Sequence, residues 1–490
     1  MVDSTAAPVE PPVPAPAAAR VRPALKAAYG LGNLTEGLLS AVVATYAFFY
    51  FTAVLGLSGT LAGAALAISL VIDAFMDPLL GSLSDGTRSR FGRRHPMMAM
   101  ALAPVVLTLG ILFTTPPGLS QMALFAWLTV LMTVHRIALS AFTIPYSALG
   151  AELSNDYRER TSIVVVSRLF GVTGTLVALV IGYGWFLTPD GAVLSAQAYV
   201  PVGWLGGLIA LLAGVTFIAL TVRTGVTVAP TTVPDSGLAL ARLPGEVREV
   251  LANRSFRVLF AGLLVFFAAI GSHLALALHA NVFFWKIAPE ALLIPSSGYL
   301  LGLLVGVPVT ALLARLFEKR GQVFVGLGLL CASWTVLPLL QISGTAALQG
   351  DGIVGLLTVN WLVAGIGSSI ATVAYSSMMG DAADEHEHLF GVRREGLYFA
   401  GLSFASKAAG ALGTLVAGVG LDLIGFPGGF DGQALASVVV PDGKVQLLGW
   451  VYGPGTAVLT VVSAAILLAY RIDARRHGEI VRALGSRSAT

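Results

Sequence analysis

Cysteine and charge are the scarcest features of this chain. A single cysteine, Cys331, among 490 residues excludes an intramolecular disulfide, and an isolated thiol in an apolar run is simply packed. Only 11% of the residues are charged, against about 25% in a soluble globular chain. Such a chain cannot cover itself for water. The formal net charge of +3 gives no basis for binding nucleic acid. The opening stretch, "MVDSTAAPVEPPVPAPAAARVRPALK", lacks the apolar core of a cleaved signal peptide. Its proline and alanine content reads as a disordered tail over 1–25.

Apolar residues are what the chain has in abundance: 56% are hydrophobic and the mean hydropathy is +0.83. Runs long enough to cross a bilayer fall at 30–55, 59–83, 97–115, 121–147, 163–187, 201–223, 257–285, 296–316, 322–342, 353–379, 397–424 and 447–471. The expectation is an all-α membrane protein of twelve transmembrane helices. Arginine and lysine then orient it. Arg88, Arg90, Arg93 and Arg94 follow the second run, Arg158 and Arg160 the fourth, and Arg242, Arg248, Arg254 and Arg257 the sixth. Lys319 and Arg320 follow the eighth, and Arg393 and Arg394 the tenth. The other gaps are nearly bare apart from Lys286 and Lys444. The positive-inside rule makes both termini and the even-numbered gaps cytoplasmic.

The chain divides into residues 26–223 and 257–471, separated by a loop over 224–256 that starts as a Pro/Thr linker and ends in a charged segment suited to a short surface helix. A cytoplasmic tail occupies 472–490. The halves echo each other. "PYSALGAEL" closes the fourth run and "AYSSMMGDAAD" the tenth, so that Tyr146, Ser147 and Gly150 match Tyr375, Ser376 and Gly380. A weaker echo pairs the loop from Asp85 with "RLFEKRG". Two parallel six-helix bundles around a midplane site form the architecture of a major facilitator transporter.

"DAFMDPLLGSLSDGTRSRFGRRHP", from Asp73 to Pro96, carries the chemistry. Asp73 and Asp77 are four residues apart and share one helix face. A charged aspartate deep in a bilayer costs roughly 2.5–3.5 kcal/mol, so two on one face need a cation. Pro78 cannot donate to the Ala74 carbonyl, which frees another oxygen nearby. Carboxylates, a loose carbonyl and hydroxyls suit a small hard cation. The same pair can hold a proton instead, because neighbouring negative charges repel. The bland alternative is a packing ion pair with Arg136, Arg168 or Lys407. On the fourth helix Arg136, Ser140, Thr143 and Ser147 form one polar stripe that faces protein or water. Glu36 sits in the polar stretch "GNLTEG", either binding solute or pairing with an arginine. Lys407, between Ser403 and Gly410, is a partner for the aspartates or a structural counter-ion. His273 and His279 read as satisfied core histidines, and Trp127, Trp334 and Trp361 as packing or interface residues.

As a set, that stretch, "YGLGN", "IPYSALGAEL" with "DYRERTSIVVVSRLFGVTG", and "RREGLYFAGLSFASKAAGALG" resemble the glycoside–pentoside–hexuronide:cation symporters, the melibiose-permease-like family of major facilitators. The resemblance covers nearly the whole chain. It implies that Asp73 and Asp77 are the cation aspartates and that Ser140 is the hydroxyl ligand of the fourth helix, with Thr143 beside it. It also implies that Arg168 and Lys407 are the family's arginine and lysine of the fifth and eleventh helices. Met76 stands where an asparagine is often found, so an oxygen ligand for sodium is lost. The family's sugar-binding acids fall on Gly37 and Thr143, and its pocket tryptophans on Ser147 and Thr372. None of the four is retained. Glu36, Arg136, Arg168, Lys407 and Tyr375 remain as candidate substrate-binding residues.

The arginine loop reads as a cytoplasmic gate formed by Asp85, Arg88, Arg93, Arg94, Glu152, Asp156 and Arg160 of one half with Asp381 and Arg394 of the other, and also as a topology anchor. The function expected is secondary active symport of a cation, H+ or Na+, with a glycoside or related sugar, by alternating access. The protein would act as a monomer among membrane lipids, with a small-molecule substrate and no cofactor. A lysophospholipid-like carrier of the same fold is one rival. A membrane-embedded metal-dependent enzyme is another, against which stands the lack of an acid-rich loop motif at a membrane surface.

Overall fold

In lipid a chain must satisfy its own backbone polar groups, and an apolar run does so as a helix. The computed structural model describes residues 21–154, 156–222 and 245–488. Among them are twelve membrane-length helices: α1 (Pro23–Val54), α2 (Gly59–Gly86), α3 (His95–Leu112), α4 (Gln121–Glu152), α5 (Arg158–Phe186), α6 (Ala196–Thr221), α7 (Arg254–Phe284), α8 (Pro289–Leu313), α9 (Lys319–Ile342), α10 (Asp351–Phe390), α11 (Glu395–Leu423) and α12 (Asp442–Leu467). No strand occurs among the described residues. Tail residues 1–20 and most of the expected central loop lie outside them. The charged end of that loop is helical over 245–252, and a further helix, Ala474–Ser488, follows α12.

Helix starts are written in side chains. Ser58, Ser120, Asp156 and Asn253 accept hydrogen bonds from the first-turn amides of α2, α4, α5 and α7, satisfying donors a helix leaves open. The largest departure from the expected lengths is α10. It runs to Phe390, past the expected 379, because no glycine or proline interrupts it between Gly380 and Gly391. Gly391, at φ 72°, ends it in the left-handed conformation that only glycine adopts freely.

The packing repeats. In the first half α1 packs on α5 and α6, α4 on α2 and α3, and α3 on α6; in the second, α7 packs on α11 and α12, α10 on α8 and α9, and α9 on α12. The halves meet chiefly where α2 lies against α11, with a smaller contact between α1 and α7, while α5 barely touches α8. Glycine makes that seam possible. A Cβ on Gly59 would collide with the Gly418 carbonyl oxygen, and one on Gly63 with the Leu415 backbone. At the charge-poor end, the Ala53 carbonyl accepts from the amides of Gly429 (2.9 Å) and Phe430 (3.0 Å) across the halves. Thr52 and His279 add a 2.9 Å contact. The Asp422 carboxylate accepts from Ser58 Oγ at 2.6 Å and from the amides of Gly59 and Thr60 at 2.8 Å. This carboxylate of one half thus caps the first turn of α2 in the other.

The arginine-bearing end differs. Lys26 pairs with Glu159 (2.7 Å), Arg93 with Glu152 (2.7 Å) and Arg94 with Asp85 (2.5 Å), all within the first half. Lys319 pairs with Asp381 (2.6 Å), and Arg394 with Glu246 (2.9 Å) and Glu249 (3.3 Å) of the 245–252 helix. None of these pairs joins the two halves. The protein is closed at its charge-poor end and parts toward its arginines.

Candidate solute and cation site

Asp73 is buried, at 4% exposure, and its Oδ1 accepts from Ser140 Oγ at 2.7 Å. Lys407, from the other half, places Nζ 2.6 Å from Asp77 Oδ2 and 3.6 Å from Asp73 Oδ2. Asp77 Oδ1 is buried and receives no hydrogen bond. Lys407 is eleven residues, about three turns, from Gly418 along α11. The pair therefore sits at the far end of the glycine seam. Of the three cations that could neutralise the aspartates, the structure brings in Lys407. The Arg136 Nε–H donates to Ser69 Oγ at 3.1 Å, one turn from Asp73, so its charge reaches that carboxylate without an ion pair.

Two carboxylates and the Ser140 hydroxyl are the oxygens gathered here, and Pro78 within α2 leaves the Ala74 carbonyl without its helical donor. Among the described residues no three His, Cys, Asp or Glu side chains converge on a metal-sized site. The arrangement suits a monovalent ion or a proton that exchanges with an ammonium.

A cavity of about 630 Å³ lies between α1, α5, α7, α8 and α10; Glu36 and Arg168 line it, and the Asp73, Asp77 and Lys407 side chains do not. Gly37 lines it too, and a Cβ there would run into the Gly171 carbonyl oxygen, where α1 presses on α5. Sequence reasoning missed Asn33, Asn281, Tyr183, Tyr299 and Ser296 as lining residues; Trp361, expected in packing or at an interface, is buried in the apolar core and also borders the cavity. Asn33 was within the quoted polar stretch; its Nδ2 donates to Ser167 Oγ at 2.9 Å. Asn281 was legible only as an amide in an apolar run.

Other expected residues are elsewhere. Tyr375 is a correction: it is fully buried, its hydroxyl 2.8 Å from Ser463 Oγ, in the packing between α10 and α12. Thr143 is half-buried with no described hydrogen bond to either aspartate, and Arg136 does not line the cavity. Asp156 caps α5 through the Glu159 amide (2.8 Å), and Arg160 Nε donates to the Ser154 carbonyl (2.6 Å). Arg88 is exposed with no described ion pair. His273 is a core histidine, stacked between Trp334 and Tyr452 with ring centroids 4.2 Å from each.

Comparison with known proteins agrees in kind. The family description "MFS/sugar transport protein" matches residues 28–474. The chain is 24% identical to the inner membrane symporter YicJ of Escherichia coli, over 92% of this chain and 91% of that one. It is also 24% identical to the isoprimeverose transporter of Lactiplantibacillus pentosus, over 91% and 88%. Among solved structures a single-site mutant of the nucleoside transporter NupG superposes with a TM-score of 0.67 at 14% identity, covering 91% of this chain and 100% of that one.

Proposed function

The chain belongs to the MFS/sugar transport protein family, and from that premise we propose how it couples a cation to its solute. It is a multi-pass transporter of the inner membrane that carries a small solute by cation symport. The arginine-bearing end is the cytoplasmic one by the positive-inside rule, so the described arrangement is inward-open. The solute, a glycoside or related sugar, occupies the cavity bordered by Glu36 and Arg168.

The observation that carries the mechanism is the Lys407–Asp77 pair at 2.6 Å, an ion pair between the halves. Asp73, Asp77 and Lys407 together leave one net negative charge, which the nearby Arg136 guanidinium offsets only in part, since its hydrogen bond goes to Ser69. With the cavity open, water solvates that charge. With solute bound and water excluded, it costs roughly 2.5–3.5 kcal/mol unless a cation binds. The solute-bearing carrier thus needs its cation, while the empty one does not. The cation and Lys407 compete for Asp77, so loading also loosens the tie between α2 and α11.

The cation is a proton. Met76 supplies no oxygen, one Asp73 oxygen is already engaged by Ser140, and few ligands remain for a sodium shell, whereas a proton needs only one carboxylate oxygen of the pair. In proteoliposomes an inward pH gradient in sodium-free buffer should drive accumulation, and a protonophore should collapse it. Strict dependence on sodium with indifference to the protonophore would overturn this.

Melibiose and simple galactosides should bind only above the millimolar range in titration calorimetry. Charge-assisted hydrogen bonds are about twice as strong as neutral ones, and Gly37 and Thr143 offer no carboxylate. The contact of Gly37 with Gly171 also leaves no room to restore one. Sub-millimolar binding would show that another set of acceptors holds these sugars.

A further inference from the structure

The two halves line the central cavity with different chemistry. From α1 and α5 come Glu36, Arg168, Asn33, Ser40, Thr45 and Thr175 among Ala41, Ala44, Val172 and Leu179; α7 and α8 give mostly Leu274, Leu278, Leu300, Leu303, Leu304 and Val307, with Ser296 polar. Aromatic faces stand at the edge of this apolar wall in Tyr299 and Trp361. The polar exception on α7 is Asn281, which is 2% exposed and whose Oδ1 has no hydrogen-bond partner. It belongs to a π-helical turn, Ala280–Phe284, a local change of register that recurs at functional sites.

We infer that the transported solute is two-faced: a hydroxylated or charged moiety held by Glu36 and Arg168 is joined to an apolar aryl or alkyl group that packs on the leucines of α7 and α8. This rests on the reading of the cavity as the solute site. A free sugar carries hydroxyls around its whole rim. Turned to the leucine wall, those hydroxyls lose their water without gaining partners, a penalty that buried polar groups generally incur. An aryl or alkyl substituent removes that conflict and gains by leaving water. Asn281 then marks the boundary between the faces, its amide free for the atom that links the two moieties.

The test is calorimetry on the purified carrier with glucosides, xylosides and glucuronides, each as free sugar, methyl glycoside and phenyl glycoside. In the series that binds, the phenyl compound should bind tighter than the methyl compound by roughly tenfold or more. Leu278→Ala and Leu303→Ala should each weaken the phenyl compound more than the methyl compound, bringing that ratio toward one. Equal affinities for methyl and phenyl members, loss of both in the leucine variants, or no phenyl member binding at all would overturn the inference. So would displacement by lysophosphatidylcholine where no phenyl glycoside competes. Repeating the titration on Asp73→Asn separates the two readings: a phenyl preference that survives, with no sensitivity to pH or sodium in the wild type, leaves this inference standing and removes the coupling mechanism.

Discussion

Asp77→Asn is expected to abolish accumulation while leaving exchange intact. The substitution removes one negative charge from a site that holds two carboxylates and one ammonium, so the site becomes neutral without a cation. Solute then crosses uncoupled, and in proteoliposomes the accumulation ratio should fall to one as counterflow of labelled solute continues. Asp73→Asn should act alike, with a further loss because the Ser140 hydroxyl, 2.7 Å from Asp73 Oδ1, must find a new acceptor. Lys407→Gln moves the charge the other way. Its site keeps two negative charges, one more than a single cation can neutralise, and counterflow should drop by about 100-fold, the factor equivalent to roughly 3 kcal/mol. Accumulation at the wild-type level in either aspartate variant would refute the mechanism.

The second large effect belongs to Asp422. Its carboxylate takes three hydrogen bonds from the first turn of α2, at 2.6, 2.8 and 2.8 Å, and carries a charge that complements the positive end of that helix. All three bonds link one half to the other, so all exist only while the outer side is closed. Loss of a helix cap costs about 0.5–2 kcal/mol, and hydrogen bonds to charged groups about 1.5–3 kcal/mol. Asp422→Ala should therefore shift the balance toward outward-open by roughly 10- to 100-fold. Nitroxide labels at Val439 and on the loop before α4 would read this as a longer distance population. A distribution identical to the wild type would show that the glycine seam and the other bonds across the halves hold the outer side shut without Asp422.

Much of this was legible in the sequence, for reasons the bilayer imposes. Lipid demands long apolar helices, so hydropathy located all twelve, and the arginine gaps divided the two ends. Asp73 and Asp77 stood out because charge in a membrane must be explained. What the sequence hid was partner choice. Arg136, Arg168 and Lys407 were equivalent as letters, and only the close approach at Gly59 and Gly418 brings α11 near enough to deliver Lys407. Tyr375 was misread for a related reason: it repeats Tyr146, but the repeat places both tyrosines in packing positions, against Ser463 and against Tyr29. The gate acids and arginines are legible as charged helix ends. Their pairing within each half depends on which side of the carrier is open, a state that residue order does not encode. Asn281 and Trp361 escaped because a single amide or indole in an apolar run makes no periodic stripe. In α7, moreover, the π-helical turn at Ala280–Phe284 changes the register from which a facing side chain would be read.

The charge arithmetic at Asp73, Asp77 and Lys407 has an electrical consequence. If the solute-loaded site crosses neutral and the empty site crosses with one negative charge, the membrane potential does no work on the loaded passage. It acts on the return. A cell interior that is negative pushes the empty, anionic site outward, by up to about 2.3 kcal/mol per 100 mV if the charge traverses the full field. The voltage would thus serve to reset the carrier rather than to pull its cargo, and the rate at which binding sites reappear at the outer surface would be the quantity an energised membrane controls.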